Sequence, residues 1–590
     1  MILAYRPDLD AVGGSLFLTA LVAMLPLLTL FILLGVLRMT AWKAALVALA
    51  ISLAVAIFAY AMPAGQAILA GTQGAAFGFF PILWIVLNAI WIYNMTVSTG
   101  HSDVLRRSFA KISDDQRIQA VIVAFCFGGL LEALAGFGTP VAITSVMLIG
   151  LGFKPIKAAV VALVANTAPV AFGALAVPIT TLATVTNLPE QELSSIVGRQ
   201  TPLLALFVPM ALVFIIDGWK GVKQTLPSTL TCGIAFAVFQ FLSSNYISPQ
   251  LTDIIASLAA AAAVVLLLRV WRPAAPYVEA PEVSTVASGS AKSAQAGASG
   301  SSRASVAVGA GGVANATGDS ADHPIGQGTG TAAEFAERDR GRHDSTNDVL
   351  KAYAPYLIII AVFSIAQIPA LKTLLAGTTQ SFQWPGLELQ TAGGKPSTLP
   401  KFNLNWLASG GSLLIIAGLL TIPVIGISWA KALKAYLGTY VQLKFAIITV
   451  MAVLGLAYVM NSSGQTATLG EWMAGAGALF ALLSPILGWL GVAVTGSDTS
   501  SNALFGALQV SAANKAGLSP ALMAASNTSG GVLGKMVSPQ NLAIAAAAVG
   551  MSGKEGDIFR KVIGWSLGFL VFMMAIVYLQ STPILGWMLP

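Results

Sequence analysis

The chain has 590 residues, of which 56% are hydrophobic and only 9% charged, with a formal net charge of +7. A soluble domain carries roughly 25% charged residues, so this composition excludes a water-soluble globule and leaves lipid as the main solvent of the surface. The positive charge reads as Lys- and Arg-rich loops on one side of a membrane, not as a nucleic-acid surface.

A helix needs about 20 apolar residues to cross the hydrocarbon core. In chain order, runs of that size fall near 14–37, 41–61, 77–98, 194–216, 226–243, 252–271, 351–371, 406–427, 439–460, 471–491 and 562–587. The first run is longer than a signal-peptide core and lacks a basic stretch before it, so no cleavable leader is expected. Basic residues cluster at Arg38 and Lys43, Arg106 to Arg117, Lys220 and Lys223, Arg269 and Arg272, Lys431 and Lys434, and Lys554 to Lys561. Connections 243–252 and 461–470 carry no Lys or Arg. Calling the basic loops cytoplasmic gives a consistent alternation, with both termini and the polar loop 372–405 outside.

The chain divides into a membrane half at 1–272, a linker at 273–348 and a second membrane half at 349–590. The linker is rich in Ala, Gly, Ser and Thr, and cannot bury enough apolar area to offset the entropy of ordering, so a disordered cytoplasmic segment is expected. Cys126 and Cys232 sit in apolar stretches far apart in sequence. They read as packing residues, with no disulfide and no metal-ligand spacing.

Two apolar regions, 118–186 and 492–550, are interrupted by Gly, Pro, Asn and Thr, and they share a pattern. Asn166-Thr167 is followed by Gly173 and Pro178; Asn527-Thr528, preceded by Ser526, is followed at the same offsets by Gly534 and Pro539. Each copy follows a Gly-x-x-Pro corner, at Gly152 and at Gly517, and before that a small-residue stretch, Gly136 to Pro140 with Gly138 and Thr139, or Thr495 to Asn502. Gly and Pro inside a membrane segment free backbone groups that are tolerated only where they are buried in protein or line a polar cavity. Paired broken helices in corresponding places of two halves point to a transporter's central site, and exposed helix N-termini there favour an anion. Close helix packing alone explains any single Gly, but does not require Asn twice at matched offsets.

At these residues the sequence resembles the L-lactate permease family of bacterial secondary transporters, through GGLLEALAGFGTPVAIT (128–144), ANTAPVAFGALAVPI (165–179), TGSDTSSNALFGALQ (495–509) and SNTSGGVLGKMVSPQ (526–540). The resemblance covers the membrane portion and not the linker. It implies proton-coupled uptake of lactate, and often glycolate, across the inner membrane, driven by the proton gradient with no cofactor or metal. The Asn-Thr elements also look like the Ser-Asn-Thr hairpin tips of the wider ion-transporter superfamily. Ala165 replaces Ser in the first copy, which argues against an equivalent sodium site there.

Ionisable groups inside a membrane segment are functional candidates, since each costs roughly 2.5–3.5 kcal/mol near the bilayer centre. Glu132 and Asp498 occupy similar places in the two halves and are candidates for carrying the coupling proton, because a carboxylate withdrawn from water holds its proton more tightly. Lys535 either meets the substrate carboxylate or pairs with Asp498. Lys154, Lys157 and Lys515 read as interfacial, snorkelling residues, and His101 as interfacial. Asn166, Thr167, Ser526, Asn527, Thr528, Lys535, Gly138 and Thr139 form the expected substrate site. The expected fold is an all-α polytopic membrane protein of about 12–14 transmembrane helices, with re-entrant or broken helices in two inverted repeats.

The leading function is therefore proton symport of a small monocarboxylate, lactate or another 2-hydroxy acid. A sodium-coupled di- or tricarboxylate carrier is the alternative; a homodimer is one assembly left open. A membrane-embedded enzyme lacks its motifs here: there is no His-Glu-x-x-His and no Gly-x-Ser-x-Gly elbow. A channel would be excluded by gradient-driven accumulation.

Overall fold

The computed structural model describes residues 5–278 and 344–590, apart from positions 38, 111, 135, 137, 367, 392, 393, 395, 552 and 553. The linker expected at 273–348 thus lies outside the described residues from 279 to 343. The described chain is helical almost throughout. The exception is a two-stranded antiparallel hairpin, Gln380–Gln383 against Lys401–Leu404, inside the polar loop.

Local sequence sets many helix starts. Ser519-Pro520 and Ser538-Pro539 each place a serine whose side chain accepts from a backbone N–H of the first turn, followed by a proline that lacks the N–H the turn would orphan. Helix ends carry glycines in the left-handed region, Gly464, Gly496 and Gly517 among them.

Ten helices among the described residues are long and apolar enough to cross a membrane, or up to 11 if the bent pair Pro155–Ala165 and Val170–Thr186 is one span. The expectation of 12–14 counts the passes differently. Glu190–Ile247 is a single run of 58 residues, but it breaks at Asp217 and Gly218. Gly233 lies so close to Leu206 that an added Cβ would sit 3.1 Å from the Leu206 Cα. Residues 27 apart along one straight helix would be roughly 40 Å apart, so the two arms lie antiparallel and the run passes twice. Gly410–Ile425 is a shorter apolar helix. The run expected at 77–98 belongs to a longer segment, Ala64–Ser98, bent where Phe80 leaves helical geometry.

The basic connections gather on one face. Arg117 donates to Asp115, Asp217, Gln224 and the Ala275 carbonyl. Arg107 pairs with Asp344, and the Gln116 N–H donates to the Tyr277 carbonyl. Both described ends of the linker therefore leave from this face. The opposite face holds the N-terminus, where Tyr5 bridges Leu389 in the polar loop. It also holds the C-terminal segment, whose Met588 carbonyl accepts from Arg199, itself bonded to Asn245.

The two broken units enter from opposite faces. In the first, Gln116–Leu134 runs inward from the basic face and Thr139–Gly150 returns to it, because the Gln116 side chain bonds the Leu151 carbonyl. Pro155–Ala165 then re-enters, breaks at Asn166, and continues as Gly173–Thr186 to the far face. In the second, Phe480–Thr495 runs inward and Asp498–Ala516 returns to the far face, where Lys515 pairs with Glu471 at 2.5 Å. Pro520–Gly534 re-enters, breaks at Lys535–Val537, and continues as Pro539–Ala548 to the basic face. Contacts between the units are reciprocal: Gly173–Thr186 packs on Asp498–Ala516, and Pro539–Ala548 packs on Thr139–Gly150. Reciprocity of this kind is what a two-fold axis between the units produces. Within the second unit Gly530 lets Pro520–Gly534 close against the Pro485 backbone, with no room for a Cβ.

Candidate functional site

The first return helix, of 12 residues, reaches ~18 Å from its face, so the tip of the first hairpin ends inside the membrane; the second, of 19 residues, reaches ~28 Å from the opposite face, so the two tips overlap in depth. A cavity lies between them. It is lined by Glu132, Gly136, Val170, Gly173, Ala174, Val177 and Pro178 of the first unit, and by Gly496 to Thr499, Lys535 and Gln540 of the second. Exposed Gln540 marks its mouth.

Its centre is a buried ion pair between the units. The Lys535 Nζ donates to Glu132 Oε1 at 2.6 Å, with both side chains less than a tenth exposed. Asn166 Nδ2 donates to the other oxygen, Oε2, at 3.0 Å. Lys535 sits at the helix break, where its carbonyl is taken by Ser538 and Asn541. Of the two alternatives for Lys535, the substrate carboxylate or Asp498, the ion pair with Asp498 is not formed. The partner of Lys535 is Glu132, since the reciprocal packing places the second break against the first hairpin rather than against its own.

Asp498 begins the returning helix of the second hairpin, on the same cavity, and is buried. Neither of its oxygens accepts a hydrogen bond from any described residue. Two glycines make room for these carboxylates: a Cβ at Gly173 would lie 2.7 Å from Glu132 Oε1, and one at Gly531 would overlap Asp498 Oδ1. Starting from Ala174 on the cavity wall, Ala174, Leu175 and Ala176 all adopt positive φ, 45°, 55° and 60°. Left-handed backbone costs an ordinary L-residue roughly 1–2 kcal/mol, so this wall is a strained segment held by its surroundings. Asn502 Nδ2 donates to the Pro178 carbonyl at its end.

The other predicted residues divide. Gly138, in the left-handed region, and Thr139 form the tip of the first hairpin, with Gly138 against Ile544 and Asn541 of the second unit. Thr167 is buried beside Asn166 and its hydroxyl has no partner among the described residues. Ser526, Asn527 and Thr528 do not line the cavity. They belong to a buried polar network behind it. Asn527 donates to Asn502 at 2.8 Å and accepts from Gln509; Asn502 donates to Thr528 at 2.8 Å; Ser526 bonds Ser484. Ser529 donates to Gln200 of the kinked hairpin. Asn502, Gln509 and Gln540 were missed by sequence reasoning, and their signal was only polarity within apolar runs.

The remaining charges lie at the faces. Lys157 donates to the Ile216 carbonyl, and Lys154 caps Pro155–Ala165. His101 bonds Thr99 on the basic face; burial, reinforced by the Lys351 charge, holds its pKa below the usual histidine value. Cys126 and Cys232 prove to be neighbours, with Sγ atoms 3.5 Å apart in the apolar interior, and both are free thiols.

The profile of the L-lactate permease family matches residues 19–310 and 325–584. The chain is 38% identical to an L-lactate permease of Bacillus subtilis, covering 100% of this chain and 99% of that one. It is 39% identical to the glycolate permease GlcA of Escherichia coli, covering 96% of each. A solved structure of MtrF from Neisseria gonorrhoeae aligns over 86% of this chain and 82% of that one, at 12% identity and a TM-score of 0.43.

Proposed function

The chain belongs to the L-lactate permease family, and on that premise we propose that it is a carrier that imports L-lactate, and glycolate or a related 2-hydroxy monocarboxylate, by proton symport across a bacterial inner membrane. It is a multi-pass membrane protein whose basic face is the cytoplasmic one in this reading. The energy source is the proton gradient, with no cofactor.

One observation supports the coupling: Lys535, the one buried ammonium among the described residues, faces Glu132 across a 2.6 Å ion pair with Asp498 on the same cavity. A buried charge is tolerated only when paired. Lys535 compensates one carboxylate, and the other is neutralised by a proton. A lactate anion entering against Lys535 displaces Glu132, and Glu132 is then an unpaired buried anion unless it takes a proton of its own. Anion and proton therefore bind together or not at all. Asn166, donating to Glu132, holds that carboxylate, and the Thr167 hydroxyl, unpartnered among the described residues, is available to the incoming substrate. Asp498, on the same cavity, is assigned to the substrate hydroxyl in this reading. The Ser526, Asn527 and Thr528 network supports the second hairpin behind this site.

The test is uptake of labelled L-lactate by proteoliposomes under an inward proton gradient without sodium. Accumulation that collapses with a protonophore is the expected result. Accumulation that follows a sodium gradient and ignores pH would replace this reading with sodium-coupled carboxylate transport.

A further inference from the structure

A third carboxylate, Asp253, lies beside the site and has no part in the scheme above. It is fully buried, on the helix Pro249–Val270, and neither oxygen accepts a hydrogen bond of ordinary geometry from a described residue.

Register places it. Gln116–Leu134 runs inward from the basic face, while Pro249–Val270 starts at the opposite face, so the two helices are antiparallel. They touch at Gly129, where a Cβ would come within 2.6 Å of Ser257 Oγ. Glu132 is three residues on from Gly129, and Asp253 is four residues back from Ser257. Both steps advance about one helical turn in the same direction and keep to one helix face. Asp253 and Glu132 are therefore level across the interface. The groups facing Asp253 from the elements packed on it are Glu132, Lys535 and Gln240.

Position along the membrane normal gives the residue its direction. Asp253 lies one turn inside the face that carries the termini. Just before it, Gln250 donates to half-buried Glu190 at 2.8 Å. On the outer side of Glu132 the side chains of Gln240 and Asp253 are buried. Water does not reach Glu132 from this side, and a proton arriving from it needs a titratable carrier. Buried carboxylates inside membrane segments serve as such relays.

We propose that Asp253 delivers the coupling proton to Glu132 from the outer face. This rests on the symport reading. In the transfer step the protonated Asp253 gives its proton to the Glu132 carboxylate as the substrate displaces Lys535, leaving Asp253 ionised. Asp253 then regains a proton from outer water through the Glu190 region. Lactate-for-lactate exchange, in which the proton need not leave Glu132, bypasses this step.

The test uses full-length protein in proteoliposomes. Asp253→Asn should slow proton-driven lactate uptake by about a hundredfold, the lower end of what a positioned proton donor contributes, with exchange slowed far less. Asp253→Glu should recover proton-driven uptake. Equal loss of exchange and driven uptake in folded Asp253→Asn, checked by its gel-filtration profile, would overturn the relay and leave a positioning role. Normal driven uptake in Asp253→Asn would overturn it too. If the wild type ignores the proton gradient and follows sodium, the symport reading itself has failed, and the relay with it.

Discussion

The ion pair between Lys535 and Glu132 sets the expectations for single residues. Lys535→Met leaves Glu132 buried without its counter-charge, and removal of one partner of a buried pair costs about 3–5 kcal/mol. Uptake should vanish, and the melting temperature in detergent should fall. Adding Glu132→Gln should restore the melt but not the uptake; a double variant that melts as low as the single one would remove the pair from the account. Asn527→Ala should act differently from a site residue. It strands Asn502 and Gln509 inside the network, at about 1–3 kcal/mol, so its first effect should be on thermal stability. Asn166→Ala, whose side chain hydrogen-bonds only Glu132 among the described residues, should lower uptake with a smaller change in the melt. Glu132, Asp498 and Lys535 were legible in the sequence because a charge in an apolar run has a cost that demands a reason. Asp253 was not, since an acid in the first turn of a helix is ordinary complementarity to the helix dipole. The Asn527-Thr528 motif was visible as a repeat, but a repeat does not reveal which polar groups already satisfy it, and the structure places it behind the cavity.

Among the elements, the two broken units were readable from matched Gly, Pro and Asn positions, because those residues disrupt helices wherever they fall. Where each helix breaks was less readable. The first break begins at Asn166 itself, whereas the second comes eight residues after Asn527, at Lys535. Identical offsets in sequence thus give breaks at different points, since tertiary contacts decide which weak spot yields. The left-handed turn at Ala174, Leu175 and Ala176 carried no sequence signal, as none of the three is glycine. It gives an inverted expectation for a familiar substitution. Ala→Gly inside a helix loses roughly 1 kcal/mol; Ala174→Gly should instead leave stability unchanged or raise it by about 1 kcal/mol, because glycine accepts φ of 45° without penalty. Thermal unfolding of the purified variant in detergent measures the sign. The hairpin at Asp217 and Gly218 was legible as two runs, 194–216 and 226–243, with Lys220 and Lys223 between them; that helix resumes directly after a two-residue break was not.

For the whole molecule, the alternation of basic and non-basic loops predicted the arrangement of faces, and the contacts of Tyr5, Arg107, Arg117 and Met588 agree with it. In cells, an impermeant maleimide should label Ser381→Cys, in the polar loop, and spare Lys554→Cys, in the opposite basic loop; both positions are exposed, and the native cysteines are buried. Labelling of both, or of Lys554→Cys alone, would reverse the orientation. What the sequence could not show is that the two units meet through one ion pair, because a contact between residues 132 and 535 depends on how opposed hairpins interleave.

That single pair also bears on how the carrier responds to voltage. With Lys535 held by Glu132 the empty site is neutral, and with lactate in place of a protonated Glu132 it is neutral again. Neither leg of the cycle then moves net charge through the field, although one uncompensated charge would feel about 2.3 kcal/mol per 100 mV. A potassium-diffusion potential imposed on proteoliposomes at equal pH should therefore drive no accumulation, and a cell with a large membrane potential but no pH difference would gain nothing from this carrier beyond equilibration.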